Sequence, residues 1–316
     1  MDNHTEQNIQ ETAIMDRAAF RKEILSLKKE HNAAILAHNY QVAEVQDIAD
    51  LVGDSLELAR AGASMESPVI VFCGVDFMAE TAAILSPEKT ILLPARDACC
   101  PMAAMVTSGE LAVVKDRYPD AAVVSYVNTT ADVKAASDIC CTSANAVKVV
   151  ESLPHSRVIF VPDRNLAGYV ARFTKKEILP WDGFCIVHDR FTEGDVLRVR
   201  EVHPDAEVLV HPECRPEVID LADHVFSTSG IIRHICESAK EEFIIGTETG
   251  ILHQIQTRCP GKRCIPLSPF AICMNMKKTS IERVHTALER MEPRITVPPE
   301  TAVPARRAIE RMLAVP

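Results

Sequence analysis

Three points along the chain carry the same arrangement of residues at a nearly constant interval. A short apolar run ends in polar groups at Ala37-His38-Asn39-Tyr40, again at Ser125-Tyr126-Val127-Asn128, and again at Val210-His211-Pro212-Glu213. Tyr40, Tyr126 and His211 are 86 and 85 residues apart, and the helix-start residues Ser55, Ser143 and Ser227 are 88 and 84 apart. A repeat that carries both a strand end and a helix start is an array of similar α/β units. The expected fold class is therefore α/β: three similar three-layer α/β domains with small parallel sheets, set around a pseudo-threefold axis with the active site in the central cavity. The expected boundaries are 16–115, 116–200 and 201–280, with 281–316 packing back on the first repeat.

The local pattern agrees. Apolar runs such as Val69–Phe72, Val158–Val161 and Phe243–Ile245 are short and nearly continuous, as in strands covered on both faces, and they alternate with helical stretches. In parallel units of this kind the functional groups gather at the carboxyl ends of the strands. A polar tail is expected over residues 1–15, a charged helix over Arg17–Lys29 and another helix over Val45–Leu51. The C-terminal segment reads as a helix from Ile281, broken over Ile295–Pro304 and resumed over Ala305–Leu313.

A formal net charge of −10 argues against a nucleic-acid surface. The N-terminal stretch lacks the apolar core of a secretory signal, and no run of 18 apolar residues occurs, so no membrane span is expected. The default reading is a soluble cytoplasmic protein. In a reducing compartment, eleven cysteines read as metal ligands, reactive thiols or small buried residues rather than disulfides. No CxxC occurs, which disfavours zinc ribbons and thioredoxin-type sites.

The repeat selects among these cysteines. Cys100, Cys185 and Cys273 each follow the last strand of their unit and are 85 and 88 residues apart. Under a threefold arrangement their thiolates converge. Three thiolates suit an iron–sulfur cluster with one iron lacking a protein ligand, which serves as a Lewis acid rather than only as an electron carrier. Cys73, Cys140, Cys141, Cys214, Cys236, Cys259 and Cys264 read as buried small residues, and Cys99 adjoins Cys100.

Ser55, Ser143 and Thr228 read as helix N-terminal residues aimed at the same cavity, where free N–H groups favour phosphate or carboxylate. Such residues are also ordinary caps. His38, Tyr40, Tyr126, Asn128, His188, His211 and Glu213 sit at strand ends. A lone histidine there is more often structural than catalytic, but together these groups supply acids, bases and donors for proton transfer on an oxygenated substrate. Glu213 is the sharpest candidate base, whereas the pair Thr247-Glu248 reads either as a group supporting the site from behind or as a helix cap, with the cap favoured. No GxGxxG follows the first strand and no GxxxxGK[ST] occurs, so nicotinamide and ATP are not indicated. A non-enzymatic iron–sulfur sensor would need an effector element, and neither a basic helix nor a helix-turn-helix is present.

The motifs AHNYQ, VQDIADLVGDSLELA, VFCGVDFMAETAAILSPEKTILLP, CTSANA, PDRNLA, HPEC, STSG, IGTETG and CMNMK together resemble the quinolinate synthase family, from about Ala33 to Leu313. The resemblance implies three α/β domains and a [4Fe-4S] cluster held by Cys100, Cys185 and Cys273. It implies condensation of iminoaspartate with dihydroxyacetone phosphate to quinolinate, releasing phosphate and water, in de novo NAD synthesis. By motif, Tyr40, Glu213 and His211 would be the catalytic, proton-transfer groups. His38, Ser55, Tyr126, Asn128, Ser143, His211, Glu213, Ser227 and Thr228 would contact substrate. It also names L-aspartate oxidase as the source of the imine and a transient partner. Three positions depart from the family pattern: Asn39 stands in place of an aromatic, Asp76 in place of a histidine and Cys99 in place of a glycine. A CxxCxxC near the third ligand is absent, so no redox switch of that kind is expected.

Overall fold

The computed structural model describes residues 19–315. The expected tail over 1–15 and the residues Met1 to Ala18 in general, including Arg17 at the start of the first expected helix, lie outside the described residues. A helix over 19–30 (α1) leads into the first unit: β1 Ala33–His38, α2 Ala43–Gln46, β2 Leu51–Gly53, α3 Ser55–Ser64, β3 Val69–Cys73, α4 Asp76–Leu85 and β4 Thr90–Leu92. The second unit has α5 Ser108–Arg117, β5 Ala122–Tyr126, α6 Ala131–Ala135, β6 Ile139–Cys141, α7 Ala146–Ser152, β7 Arg157–Val161, α8 Arg164–Ala171 and β8 Glu177–Pro180. The third has α9 Glu193–Val202, β9 Glu207–Val210, α10 Pro216–Asp220, β10 His224–Val225, α11 Thr228–Glu237, β11 Glu242–Gly246, α12 Ile251–Arg258 and β12 Arg263–Pro266. Helices α13 Ile281–Arg290 and α14 Pro299–Leu313 close the chain.

Each unit folds into a four-stranded, all-parallel sheet, and the strand order is the same in all three: β2-β1-β3-β4, β6-β5-β7-β8 and β10-β9-β11-β12. The apolar runs alternate between two layers, as a period of two requires. In the second sheet Val124, Val158 and Phe160 pack on one face, while Val123, Ile159 and Val161 pack on the other. The third sheet divides likewise, Val208, Val210 and Ile244 against Leu209, Phe243 and Ile245. In the first, Leu36, Ile70 and Phe72 share one core with the second unit, and Ile35, Val69 and Val71 form another with α13. A fully buried side chain such as Phe160 contributes roughly 1.5–3 kcal/mol.

One polar device recurs in all three sheets. The carboxylates of Asp50, Asp138 and Asp223 accept from the backbone N–H of Ile35, Val123 and Val208, at 2.7 Å in each case. The N–H of each aspartate returns a bond to the same strand residue. This pins the start of the short edge strand beside the first strand and fixes the register of each unit.

Three expectations change. Leu51–Gly53 is a strand rather than the end of a helix, because it pairs with Leu36–His38 and leaves only the short α2 ahead of it. Pro304 lies inside α14 rather than in a break, the helix starting at Pro299 with Pro298 as its N-cap. The C-terminal segment does not cover the first unit alone. Helix α13 packs on β3, while α14 lies mainly on α6 and β6 and also meets α4, so the tail clamps the first two units together. No helix among the described residues is long and apolar enough to cross a membrane.

Candidate active site

The carboxyl ends of the strands in all three units open onto one cavity. Of the residues singled out in the sequence, His38, Tyr40, Ser55, Tyr126, Asn128, Ser143, His211, Glu213 and Thr228 line it, together with Cys100, Cys185 and Cys273. Ser227 stands in the wall. Its hydroxyl accepts from Gly230 N–H as the N-cap of α11 and donates to the Asp54 carboxylate at 3.1 Å. Ser55 and Thr228 are first residues of their helices. Ser143 is instead in the turn ahead of α7, because Asn145 Oδ1 accepts from Thr142 N–H at 2.7 Å and holds that turn out of the helix.

The three cysteines occupy the same position in the same local structure. Three residues after each begins a short 3-10 turn, at Ala103, His188 and Met276. Seven residues after each stands a hydroxyl N-cap, Thr107, Thr192 or Ser280, which opens the next helix. The backbone N–H of each cysteine is held by a carboxylate from its own unit: Cys100 by Asp76 at 3.2 Å, Cys185 by Asp163 at 3.1 Å and Cys273 by Glu248 at 3.1 Å. These carboxylates stand where the third strand of each unit passes into its helix. Asp76, the departure noted in the sequence, and Glu248, read there as a cap, are thus equivalent residues with one structural task. Their spacing of 87 and 85 residues carries the signal, but the repeated property is a carboxylate shared between two residue types.

Burial raises all three thiols, Cys100 to about 12, Cys185 well above the usual thiol value and Cys273 in the same direction. A neutral thiol in such a place loses its proton on binding a metal. Three soft sulfur donors from three units, on one cavity and each in a fixed turn, fit an iron–sulfur cluster.

Beside Cys185, whose Sγ lies 3.2 Å from His188 Nδ1, runs a continuous chain of hydrogen bonds. Tyr40 Oη lies 2.6 Å from Thr247 Oγ1, which lies 2.8 Å from His188 Nε2, and His188 Nδ1 lies 2.6 Å from Glu213 Oε2. His188 stacks on His211 with ring centroids 4.5 Å apart, and His211 Nε2 reaches Ser143 Oγ at 3.1 Å. All of these groups except Ser143 are buried. Burial opposes charge on the Glu213 carboxyl, but the adjacent His211 and His188 and hydrogen bonds from His188 and Tyr126 outweigh it and hold the carboxyl low. Burial pushes His211 and His38 down to about 3, so both are neutral imidazoles. The Tyr40 and Tyr126 phenols are driven well above their usual value, first by burial and then by the Glu213 carboxylate. Asn128 Oδ1 is buried with no hydrogen-bond partner among the described residues.

The first and third units meet at this cavity. Asn39 Nδ2 donates to Thr228 Oγ1 at 3.1 Å, Gln46 Nε2 to Gly250 O at 3.0 Å, and Asp54 N–H to Ser229 Oγ at 3.2 Å. The Lys277 ammonium pairs with Glu248 at 2.9 Å and also contacts Tyr40 O. In the sequence His188 is a strand-end group without a role and Thr247 a supporting group or, by preference, a cap; the structure makes Thr247 the bridge between Tyr40 and His188. Cys73, Cys140, Cys141 and Cys214 are buried as expected. Cys236 and Cys259 correct the expectation of free thiols. They form a disulfide with Cα atoms 5.4 Å apart, because α11 and α12 pack together and bring these two positions side by side.

A family model described as Quinolinate synthetase A protein matches residues 22–314. The quinolinate synthase of Methanoregula boonei is 68% identical over 299 residues, covering 95% of this chain and 99% of the relative. Those of Thermodesulfovibrio yellowstonii and Desulforudis audaxviator are 55% and 56% identical over 293 residues, each covering 92% of this chain and 97% of the relative. With a match that runs nearly from end to end, the chain belongs to the quinolinate synthase family.

Proposed function

We propose that the cavity condenses iminoaspartate with dihydroxyacetone phosphate to quinolinate, releasing phosphate and water, in de novo NAD synthesis. The further proposal is that Cys100, Cys185 and Cys273 hold a [4Fe-4S] cluster there. The observation that carries the reading is the equivalence of the three cysteine turns, one per unit, on the wall of a single cavity that also holds the Tyr40–Thr247–His188–Glu213 chain. When bound, the cluster supplies a Lewis-acidic iron that favours loss of hydroxide from an oxygenated intermediate.

The protein groups do the rest. Glu213, an ionised carboxylate beside neutral imidazoles, takes a carbon-bound proton during isomerisation and ring closure. Because Glu213 can only accept, the hydrogen-bond pattern assigns the His188 proton to Nδ1. Nε2 then accepts from Thr247, and Thr247 from Tyr40. The chain therefore joins a carboxylate base at one end to a phenol at the other, and holds the Tyr40 hydroxyl in place at the cavity. His211 and Ser143 on one side, and Ser55 and Thr228 at their helix N-termini on another, bind phosphate and carboxylate oxygens. His38, Tyr126 and the unpartnered Asn128 carbonyl orient the substrate, with Ser227 supporting the α11 end through Asp54. An imine in this buried cavity is shielded from hydrolysis. L-aspartate oxidase is the proposed source of that imine, reached by transient contact.

A second reading rests on a specific cluster. One ligand atom each from Cys185, His188 and Glu213 lies within 4.8 Å of the others, a spacing that could hold a single metal ion. Two measurements separate the readings. Product formation that requires both iminoaspartate and the triose phosphate, with sulfide in the protein, supports the condensation. A sulfide-free protein holding one ion on one sulfur, with hydration or dehydration of a single hydroxy acid, would replace it.

A further inference from the structure

Away from the cavity, the third sheet carries a second group of ligating side chains. Glu207 opens β9 and His224 opens β10. Leu209 pairs with His224, and Phe243 pairs with Glu207, so Glu207, Leu209, His224 and Phe243 share one face of the sheet. That face is covered by α11, whose His234 comes down onto it. His234 Nε2 lies 2.9 Å from Glu207 Oε2, and the His224 and His234 rings are 4.4 Å apart, tilted by 49°. One ligand atom from each of the three residues falls within 4.8 Å of the others, and all three side chains are half-buried.

We propose that Glu207, His224 and His234 form a binding site for a divalent transition ion of the zinc class. An ion pair between Glu207 and His234 explains those two residues but leaves His224 without a task. Its ring stacks on Phe226 at 5.5 Å, which fixes its plane, and its nitrogens have no hydrogen-bond partner among the described residues. An ion at about 2.0–2.1 Å from each ligand would use all three groups, and the partial exposure leaves a face for water as a fourth ligand. Two imidazoles and a carboxylate without sulfur suit zinc, whereas calcium and magnesium prefer all-oxygen sites.

The position gives the ion a structural task. Helix α11 starts at the cavity with Thr228, the residue after its N-cap Ser227, and His234 lies in its last turn, about 9 Å further along the axis. An ion on His234, Glu207 and His224 ties the far end of that helix to strands β9 and β10. It would hold the Ser227–Ser229 end in place without entering the chemistry.

The test uses Zn2+ itself, added by equilibrium dialysis to anaerobically purified protein that retains its iron, followed by X-ray absorption at the zinc edge. The site predicts one zinc per chain at micromolar concentration, coordinated only by nitrogen and oxygen, and a higher melting temperature. His224→Gln and His234→Gln should each weaken zinc binding roughly tenfold or more and remove the thermal shift, with circular dichroism of the zinc-free variants unchanged. His224 lies on the short edge strand β10 and its ring packs on Phe226 and His234, so its variant keeps the test open if His234→Gln folds poorly. Zinc with sulfur neighbours would place the ion at the cysteines and overturn the site. So would no stoichiometric binding, or binding untouched by both substitutions. Because the readout is zinc coordination, failure here leaves the condensation reading unaffected, and the reverse holds as well.

Discussion

The turn that bears Cys185 and the turns that bear Cys100 and Cys273 share their local structure, and the difference that matters at the cavity is the side chain three residues after the cysteine. All three have a cysteine whose N–H is held by a carboxylate, a 3-10 turn three residues on and a hydroxyl cap seven residues on. At the start of that turn the first unit has Ala103 and the third has Met276, both buried and apolar, whereas the second has His188. That imidazole reaches Glu213 in the third unit and, through Thr247, Tyr40 in the first. The repeat thus builds three equivalent cysteine turns, and one departure from the repeat links the middle turn by hydrogen bonds to the first and third units. The third turn differs in another way: its flanks Phe270 and Met274 are 83% and 71% exposed, so it is the most open of the three.

The largest expected effect tests the shared part. Alanine at Cys100, Cys185 or Cys273 should each abolish iron binding and quinolinate formation, and full activity from any of them would break the equivalence. Next comes the difference. His188→Asn should retain iron and lose turnover by about 10²–10⁴-fold, the scale of an acid–base group, while Met276→Leu should change it only slightly. Glu213→Gln should behave like His188→Asn, and loss of iron from either would move that residue from proton transfer to cluster binding. The carboxylates come third. Asp163→Ala leaves the Cys185 N–H without its partner, an effect of about 1–3 kcal/mol, and should lower the iron retained after desalting. Asp163→Asn keeps an acceptor and should restore most of it. The smallest effect is at the caps, where Thr192→Ala should cost about 1 kcal/mol in urea unfolding and leave turnover unchanged.

The repeat made much of this legible in advance. Tyr40, Tyr126 and His211, and likewise the three cysteines, stand at equivalent positions, so their spacing in sequence marked a cavity that the fold then assembles. What stayed hidden has physical causes. Strand β2 is three residues long, too short for periodicity to separate it from the helix before it. Helix α14 passes through Pro304, although an interior proline removes a helical hydrogen bond, because the helix is packed on α6 and β6. The task of Asp76, Asp163 and Glu248 escaped notice because the repeated property is a carboxylate and not one residue type. Thr247 and His188 could not be linked to Tyr40 from sequence, since that chain crosses all three units and only the packing of the units creates it.

The most direct measurement is iron and acid-labile sulfide per chain after anaerobic reconstitution, taken for the unaltered protein and for His188→Asn. The account predicts about four of each in both proteins, as one [4Fe-4S] cluster requires, with catalysis lost only in the variant. A single ion without sulfide, or iron that disappears with His188, would contradict it and place the metal on Cys185, His188 and Glu213 instead.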